Sequence, residues 1–433
     1  MIYRGNKRCH HANAAEHARA TAHLLALPAD LLLQIAARSD AAAVVRCAAT
    51  CKLLRREILC PAFIHSVCRP PPDGVGVVPP RLVGFLGGSR AFSLAHPKTP
   101  AAKSFAKNHL APFVCRSAAG LLKEYEVVTT RGGLAVLERR EINLRRRSER
   151  RSDLCVYDPM TGGRAFFPFP PDIRRNPFIG AVYTYVVVTA ADGAIGCPFV
   201  LLAADMTSLL DFGSSVRVQT VSPSSDAGGG QWGPRKLVSH RGTGRCLADT
   251  FNSAVVLRGV VHWLMYSGDD SVFTNDVVTG APGTVGLPCG LRRPADTYLL
   301  EAKLGATPDG RLTLLVANEM SVSLWVRTAA GSCCWPVWER HALVDTEAPI
   351  RSVLNPGGRH GFEIRGEVKL MNFGDQRSGA EFLRVNVANG RSGGCDVLLV
   401  LDMETREMRK VRWNGGLLYE VDLASRLSAM KTF

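Results

Sequence analysis

The sequence predicts an α+β chain in which a small N-terminal helical segment is followed by a much longer, mainly β region. In the first 70 residues, apolar side chains recur at the three- and four-residue spacing of amphipathic helices. From residue 82 onward, short runs rich in β-branched residues alternate with Gly, Pro, Asn and Asp. The 41 Gly and 25 Pro among 433 residues also favour turn-rich β structure over a helical bundle.

Three short helices, predicted over 27–38, 41–50 and 51–60, make up the N-terminal segment. Pro28 suits the first position of a helix, where its missing N–H costs nothing. Asp40 suits the N-cap of the second helix, so the first helix is expected to end just before it.

The third helix is expected to end at Pro61, because proline cannot continue a helix. Three helices of about ten residues bury too little apolar surface to be stable alone. Their spacing therefore leaves two alternatives open. They form either a module that docks a partner or a helical cap on the rest of the same chain.

The region after residue 82 is predicted as a series of short strands, because its apolar runs are brief and are separated by turn residues. The clearest runs are EYEVVTT, GLAVLER, DLCVYD, SAVVLRGVVHWLMY, RLTLLVAN, VSLWVRT and DVLLVLD. No long amphipathic helix stands out among them. An α/β fold with crossover helices is therefore not expected.

A tight-turn motif, Asp-x-x-Thr after an apolar strand, recurs in CVYDPMTGG, FTNDVVTG and LVLDMETRE. Asp158, Asp276 and Asp402 are predicted to accept hydrogen bonds from the backbone two residues on. The copies lie about 120 residues apart, and a four-stranded propeller blade takes roughly 40–50 residues. This spacing favours a β-propeller-like domain of about six or seven blades. A pair of β-sandwiches is the main alternative.

Composition divides the chain into four parts. Residues 1–22 form a polar, His-rich tail that is predicted to be disordered, and residues 23–68 hold the helices. Residues 69–81 are rich in Pro and Gly and are predicted to be a stiff linker. Residues 82–433 form the β-rich domain.

The formal net charge of +15 is concentrated in two segments: residues 1–70 carry +6, and residues 139–151, RREINLRRRSERR, carry +5. A general nucleic-acid binder would instead spread Lys and Arg over a face of the fold, so nucleic acid is not the expected partner. The arginine run has three open interpretations: a solvated loop, a nuclear import signal, or a site for an acidic partner or nucleic acid. The candidate residues are Arg145, Arg146, Arg147, Arg150 and Arg151.

No catalytic or metal-binding constellation stands out in the sequence. The 13 cysteines are scattered without a CxxC pair, which is typical of reduced thiols in an intracellular protein. His262 lies in an apolar run and is predicted to be a hydrogen-bonded core residue. The longest apolar runs are about half as long as a membrane span. We therefore expect a non-enzymatic protein with no catalytic residues, no cofactor, no metal and no membrane partner.

The helical segment LPADLLLQIAARSDAAAVVRCAATCKLLRREILCPAFIHSV opens with Leu-Pro and an apolar helix. It continues with a Val/Ala-rich stretch and a Cys followed by basic residues, and it closes with Pro-x-Phe. Over about 45 residues this order resembles the F-box, which implies docking to a Skp-type adaptor. The implied docking residues are Leu27, Pro28, Leu31, Leu32, Ile35, Val44, Val45, Ala48, Cys51, Leu54, Pro61 and Phe63.

Two positions depart from the family pattern. Ser39-Asp40 stands where F-boxes usually have Leu-Pro, and Leu53-Leu54 stands where they usually have Trp. Both changes remove apolar surface, so we expect weaker adaptor binding than is usual for an F-box. Lys52, Arg55 and Arg56 are expected to steer the module toward an acidic adaptor surface.

An F-box followed by a β-rich region resembles the plant F-box proteins, particularly the grass-type set. The segments GVVHWL, DGRLTLLV and GLLYEVDL resemble the domain associated with that set. The resemblance implies the substrate-recognition subunit of a cullin-based (SCF-type) ubiquitin ligase, located in the nucleus and/or cytoplasm. The F-box would dock the adaptor and through it a cullin, and the β domain would bind a protein target. The alternative is a basic nuclear protein that binds nucleic acid through residues 139–151.

Overall fold

The computed structural model describes residues 27–50, 52–68, 81–87, 91–97, 99–140, 153–171, 183–193, 195–210, 215–223, 230–239, 254–265, 271–288, 291, 301–307, 309–328, 337–355, 363–373, 377–388, 394–413 and 415–430. Within these ranges, no helix has the length and apolar character needed to cross a membrane.

Four helices form the N-terminal module in the described part of the chain, one more than predicted. The helices are α1 (Ala29–Ala37), α2 (Ala41–Thr50), α3 (Lys52–Ile58) and α4 (Pro61–Cys68). Asp40 caps α2 as predicted, since its Oδ1 accepts the N–H of Ala43 at 2.9 Å. Pro28 is the N-cap of α1 and not its first helical residue. Pro61 starts α4, because a proline fits the first turn of a helix.

The rest of the described chain is mostly β, as predicted, and its strands form six antiparallel sheets. Strands β1 (Arg81–Leu86) and β2 (Phe92–His96) join the last strand, β23 (Leu417–Asp422), in sheet 6. Sheet 1 comprises β3 (Tyr125–Arg131), β4 (Leu134–Arg139), β5 (Leu154–Tyr157) and β6 (Arg164–Phe167). Sheet 2 comprises β7 (Tyr183–Thr189), β8 (Phe199–Asp205), β9 (Ser215–Val221) and β10 (Lys236–Ser239).

The remaining three sheets repeat the same four-stranded plan, in which consecutive strands are neighbours. Sheet 3 comprises β11 (Val255–Leu257), β12 (Val260–Met265), β13 (Ser271–Asp276) and β14 (Pro282–Gly286). Sheet 4 comprises β15 (Glu301–Ala306), β16 (Leu312–Asn318), β17 (Ser321–Arg327) and β18 (Trp338–Asp345). Sheet 5 comprises β19 (Glu363–Leu370), β20 (Ala380–Ala388), β21 (Cys395–Asp402) and β22 (Met408–Val411).

Within the described residues, each of the strand runs quoted from the sequence covers most or all of one or two of these strands. The longest of them, SAVVLRGVVHWLMY, folds as two strands because Arg258 and Gly259 turn the chain between β11 and β12. Both residues have positive φ, 52° and 78°, which is the backbone of a tight hairpin turn.

The three Asp-x-x-Thr motifs form the predicted turns. Oδ1 of Asp276 accepts the N–H groups of Val278 and Thr279, at 3.0 and 2.8 Å. Oδ1 of Asp402 makes the same pair of contacts with residues 404 and 405. Each motif connects the third and fourth strands of its sheet, in sheets 1, 3 and 5. The spacing of about 120 residues therefore corresponds to two sheets.

Each sheet shares a hydrophobic cluster with the next one along the chain. Val136 of sheet 1 and Val187 of sheet 2 lie in one buried cluster, while Val186 and Trp263 join sheets 2 and 3 in another. Adjacent residues of β7 thus point into different clusters, as side-chain alternation along a strand requires. Further clusters join sheets 3 and 4, sheets 4 and 5, and sheets 5 and 6.

Sheet 6 brings together the two ends of the β region. Strand β1 pairs with β23 in an unbroken register from Arg81 opposite Asp422 to Leu86 opposite Leu417. Gly416 allows this approach: its φ is +90°, and a Cβ there would lie 2.6 Å from the carbonyl oxygen of Leu86. Tyr419 and Val421 of sheet 6 also share a cluster with sheet 1.

A long helical run between β2 and β3 contradicts the expectation that no such element follows residue 82. It consists of α5 (Pro100–Phe105), a wide π-type turn (Ala106–Leu110) and α6 (Ala111–Glu124). Leu110, Val114, Ala118 and Leu121 form its buried stripe. Pro112 interrupts the sequence pattern, but it lies in the first turn of α6, where its missing N–H is tolerated.

The described chain also has three shorter α-helices, α7 (Thr207–Leu210), α8 (Glu347–Leu354) and α9 (Leu423–Ala429), and a 3-10 turn at Ala190–Asp192. Helix α9 directly follows β23 and packs against the N-terminal module. The module, α6, α9 and sheets 1 and 6 all contribute to one continuous hydrophobic cluster. The helices are therefore packed onto the β region of the same chain.

Candidate functional site

The N-terminal module has an outer face that carries exposed apolar side chains. Leu27, Leu31, Ile35 and Leu53 are 50, 44, 53 and 51% exposed, and we refer to these four residues as the outer stripe. The first three follow each other at four-residue intervals, which aligns Leu31 and Ile35 on one face of α1. Leu53 lies on α3, which packs against α1.

The twelve residues predicted to dock an adaptor fall into four groups in the structure. The exposed ones are Leu27, Pro28, Leu31, Ile35 and Pro61. The partly buried ones are Leu32, Leu54 and Phe63. The buried ones are Val44, Val45 and Ala48. Cys51 lies outside the described residues.

The three buried residues correct the predicted docking set. Val44, Val45 and Ala48 are each 0% exposed, because α2 packs into the cluster that also contains Val114 of α6 and Leu427 of α9. They stabilise the attachment of the module to its own chain and have no surface to offer a partner. Of the predicted docking residues that the structure describes, only the exposed and partly buried ones have surface that a partner could contact.

The three basic residues beside the outer stripe differ in exposure and in their contacts. Lys52 and Arg56 are exposed, and Arg56 forms an ion pair with Glu57 at 2.9 Å. Arg55 instead donates from Nε to the carbonyl oxygen of Ala48 at 2.8 Å, and so satisfies the end of α2. Of the three residues predicted to steer an acidic partner, only Lys52 and Arg56 are therefore exposed to solvent.

The arginine run is described only where it begins. Nη2 of Arg139 lies 3.1 Å from Oε2 of Glu124, and its guanidinium lies 5.9 Å from the ring centre of Tyr125. The candidate residues Arg145, Arg146, Arg147, Arg150 and Arg151 lie outside the described residues. Nuclear import and nucleic-acid binding through this segment stay predictions.

His262 is a core residue in the structure, as predicted. It is 8% exposed, and its Nδ1 lies 3.0 Å from the carbonyl oxygen of Val260. The neighbouring Trp263 is buried and stacks on Phe273, with ring centres 5.6 Å apart. This pair forms part of the core between sheets 2 and 3.

A cavity of about 370 Å³ opens at the turns of sheets 1, 2 and 5, beside the end of sheet 6. Its charged lining residues are Arg81, Arg131, Asp158, Arg164, Asp192, Arg377, Glu420, Asp422 and Arg426. Its apolar lining residues include Leu134, Phe199, Phe373 and Met430. We refer to it as the turn-side cavity. Nothing in the sequence pattern predicted this site.

A buried ion pair forms the floor of the turn-side cavity. Arg131, at the end of β3, contacts both carboxylate oxygens of Asp192, at 2.5 and 2.6 Å. The same guanidinium donates to the carbonyl oxygens of Val187 and Val256, at 3.0 and 3.1 Å. One side chain therefore joins sheets 1, 2 and 3.

The carboxylate of Asp192 is stabilised in its charged form. Burial alone would raise its pKa, but the charge and hydrogen bonds of Arg131, the Thr189 N–H and the charge of Arg377 outweigh that effect. The pKa of Asp192 is consequently lowered from its ordinary value. Asp192 is therefore a carboxylate at neutral pH.

Arg377 brings sheet 5 to the same place. It precedes β20, and its Nη2 donates to the carbonyl oxygen of Val256 at 2.6 Å and lies 3.4 Å from Oδ1 of Asp192. Its own backbone N–H donates to Oε2 of Glu420 in sheet 6, at 2.9 Å. The cluster of charged groups at the cavity thus connects five of the six sheets.

The first Asp-x-x-Thr turn links the cavity wall to the helical module. Oδ2 of Asp158 accepts the hydroxyl of Thr161 at 2.7 Å and is also ion-paired with Arg426 of α9. On the other side of the same turn, Nε of Arg46 in α2 donates to the carbonyl oxygen of Met160 at 2.8 Å. The cavity and the module are therefore attached to the same short turn.

Sequence reasoning missed the ion-paired floor because its members are far apart in the chain. Arg131 and Asp192 are separated by 61 residues, and Asp192 and Arg377 by 185. One signal was present: Asp192 is the only charged residue between Arg175 and Asp205. A single charge in such an apolar stretch is buried only when it is paired.

Comparison with known families gives one match. The model of a family described as "Domain of unknown function (DUF7595)" matches residues 87–433. The match covers the six sheets except β1, and it excludes the four helices of the N-terminal module. No curated protein matches the chain.

Solved structures resemble the chain only distantly. They include a puromycin hydrolase S511A mutant complexed with PGG, at 13% identity and a TM-score of 0.33 over 67% of this chain and 47% of that one. A second is dihydro-heme d1 dehydrogenase NirN in complex with DHE, at 10% identity and a TM-score of 0.26 over 68% and 58%. A third is a puromycin-hydrolyzing peptidase from Mycobacterium tuberculosis, at 12% identity and a TM-score of 0.24 over 67% and 45%. The chain spans about half the length of these proteins, and scores this low carry no functional argument.

Proposed function

The chain belongs to this family of unknown function, and we propose that it is the substrate-recognition subunit of a cullin-based (SCF-type) ubiquitin ligase. In this proposal the N-terminal module is an F-box of the plant, grass-type set. It docks a Skp-type adaptor through the outer stripe, and the β region binds a protein target. No catalytic step is assigned to the chain.

The single observation that carries the proposal is that α1 is apolar on both sides. Its inner side is covered by the chain itself, where Ala36 is buried and Leu33 packs against the main cluster. A helix with only this one covered side would have polar residues at positions 31 and 35. It has Leu31 and Ile35 there, both about half exposed. An apolar side that the chain itself leaves exposed needs a second cover, and a partner protein would provide it.

The chemistry of such a dock is the burial of a few large apolar anchors. A standard interface buries about 1,600 Å² in total, and a small number of well-packed residues near its centre provide most of the binding free energy. The side chains of the outer stripe are suited to that role because α1 and α3, which carry three of them, pack together, and Leu27 directly precedes the N-cap of α1. Lys52 and Arg56 add positive charge at the rim, which favours an acidic adaptor surface.

We further propose that the six sheets are the blades of a β-propeller. Two observations support this arrangement over a pair of sandwiches. Each sheet shares a hydrophobic cluster with the next in the chain, and sheet 6 shares one with sheet 1. The pairing of β1 with β23 also resembles the ring closure of a propeller, in which one blade takes strands from both ends.

Co-purification of the full-length chain with a panel of plant Skp-type adaptors tests the docking proposal. The informative variant is Leu31→Glu with Ile35→Glu, which puts two charges into the outer stripe. We expect the wild type to retain an adaptor and the double variant to lose at least about tenfold in affinity, equivalent to about 1.4 kcal/mol. The matched control is Leu237→Glu with Leu343→Glu, because these leucines are 64 and 56% exposed but lie on sheets 2 and 4.

The control variant should bind the adaptor as well as the wild type does. Failure of the wild type to bind any adaptor of the panel would exclude the F-box assignment. Equal binding by the wild type and the outer-stripe variant would place the dock elsewhere on the chain.

A further inference from the structure

The charged residues that line the turn-side cavity are of two kinds. Some are paired with each other deep in the cavity, and others lie nearer to solvent. Its two least exposed carboxylates are each neutralised by one arginine: Asp192 by Arg131, and Asp158 by Arg426. These groups hold the fold together at the cavity floor. What a ligand meets is the set of groups nearer to solvent.

Three arginines reach solvent at the cavity. The side chains of Arg81 and Arg377 are 42 and 37% exposed. Arg164 is also exposed, and its Nη2 donates to the carbonyl oxygen of Ser117, which leaves the other N–H groups of its guanidinium for a ligand. The solvent-facing carboxylates there are Glu420 and Asp422, and Asp422 lies 3.1 Å from Arg81. The rim of the cavity therefore has an excess of positive charge.

The wall next to these arginines is apolar. Leu134, Phe199 and Phe373 line it, and the volume of about 370 Å³ falls at the lower end of the roughly 300–1,000 Å³ typical of ligand pockets. Partly desolvated arginine beside aromatic and aliphatic surface favours an anionic group carried on an apolar body. Pockets of this kind use the apolar wall for affinity and the few charged groups for orientation.

We propose that the turn-side cavity receives a short segment of the target protein in which an acidic side chain, a carboxylate or a phosphorylated hydroxyl, stands next to an apolar one. The acidic group lies against Arg81 and Arg164, and the apolar neighbour lies against the wall formed with Phe199 and Phe373. This assignment rests on the proposed function, because only a substrate receptor has a target segment to hold. It names the chemistry by which the target is recognised.

Binding of peptide mixtures to the purified full-length protein, with no adaptor present, tests the assignment. The probes are nonapeptides with random flanking positions and a fixed Glu, phosphoserine, Gln or Lys at the centre. The wild type should retain the Glu or phosphoserine mixture about tenfold more than the Lys mixture, and it should enrich apolar residues beside the centre. Comparison of the Glu and Gln mixtures shows whether binding depends on the charge or on the shape of the side chain. Comparison of the Glu and phosphoserine mixtures shows whether the preferred anion is a carboxylate or a phosphate.

The informative variant is Arg81→Gln with Arg164→Gln, which removes rim charge and leaves the Arg131–Asp192 pair in place. It should lose the preference for the acidic mixtures. Arg365→Gln is the matched control, because Arg365 is also half exposed and also lies near a carboxylate, that of Glu363 at 3.4 Å, but is absent from the cavity lining. The control should retain the preference.

Equal retention of the acidic and Lys mixtures by the wild type would overturn the assignment, and so would a preference that survives in the double variant. A further arm uses 4-phenylbutyrate, an anion on an apolar body without a peptide. Binding of this acid with no binding of any peptide mixture would make the occupant a small organic anion and would also overturn the assignment. None of these results depends on an adaptor, so the test is independent of co-purification.

Discussion

The inner and outer faces of the N-terminal module are built from the same kinds of side chain, but only the inner face is covered. Val44 and Val45 are fully buried against α6 and α9, whereas Leu31 and Ile35 of the same module are about half exposed. Helical spacing alone identified both sets as apolar positions. The difference shows that periodicity finds an apolar face but not what covers it, which is a property of the tertiary fold.

The same contrast exists in the turn-side cavity. Arg131 and Asp192 on its floor are buried, and their contacts hold neighbouring sheets together. Arg81 on its rim is partly exposed. Interior groups of this kind are expected to control stability, and exterior ones to control binding. Substitutions can test that division directly.

The largest effect is expected on the inner face. Val45→Asp places an unpaired carboxylate among the aliphatic side chains of the main cluster, at a cost of several kcal/mol. A typical protein is stable by only about 5–15 kcal/mol, so most of the variant should be lost from the soluble fraction. Val45→Ala, which only shortens the side chain, should lower the free energy of urea unfolding by about 1–3 kcal/mol.

Tryptophan fluorescence during urea unfolding measures the alanine variant. An unchanged midpoint for Val45→Ala, together with a soluble Val45→Asp, would mean that α2 does not pack as described. In that case the cap interpretation of the module would fail, and Val45 would return to the set of docking candidates.

The second effect is expected at the cavity floor. Asp192→Asn removes one partner of a buried ion pair and should lower the free energy of unfolding by about 3–5 kcal/mol at pH 7. The exposed pair of Glu347 and Arg351, four residues apart on α8, provides the control. Glu347→Gln should cost no more than about 0.5 kcal/mol.

The contribution of Asp192 to the free energy of unfolding should depend on pH. The pKa of this carboxyl is lowered in the folded state relative to about 3.9 in an unfolded chain. Its stabilising contribution is therefore complete above that ordinary value and is lost as the pH falls through the lowered one. The stability difference between the wild type and Asp192→Asn should be largest near neutral pH and should shrink below about pH 4. A difference that does not change with pH would show that packing, not charge, carries the effect.

Local patterns predicted the strands and turns because their physical causes are local. The β-branched runs became strands, and the Asp-x-x-Thr motifs became turns because the Asp side chain bonds its own backbone, as at Asp276. The helical run from Pro100 to Glu124 was missed because Pro112 and Gly120 break the pattern of a helix, although Leu110, Val114, Ala118 and Leu121 keep its spacing. Proline was overinterpreted as a stop at Pro61, where it starts a helix.

The candidate sites could be predicted only in part. Three residues of the outer stripe, Leu27, Leu31 and Ile35, followed from the Leu27-Pro28 start and the apolar positions of α1, whereas Leu53 was not among the predicted docking residues. The cavity did not, because Arg131, Asp192 and Arg377 meet only after three sheets have been brought together. The burial of Val44, Val45 and Ala48 could not be predicted from the sequence pattern either. It depends on α6 and α9, which lie tens and hundreds of residues further along the chain.

The smallest effect on stability is expected on the outer face. Leu31→Asp should change the free energy of unfolding by no more than about 0.5 kcal/mol, because surface substitutions away from special contacts rarely cost more. Urea unfolding of the full-length variant measures this value. A loss of several kcal/mol would mean that the rest of the chain covers this face in solution, and it would remove the main support for a docking surface. A near-zero change in stability combined with loss of adaptor binding would give the two faces different roles. The inner face, with Val45, would stabilise the fold, and the outer face, with Leu31, would act only in association.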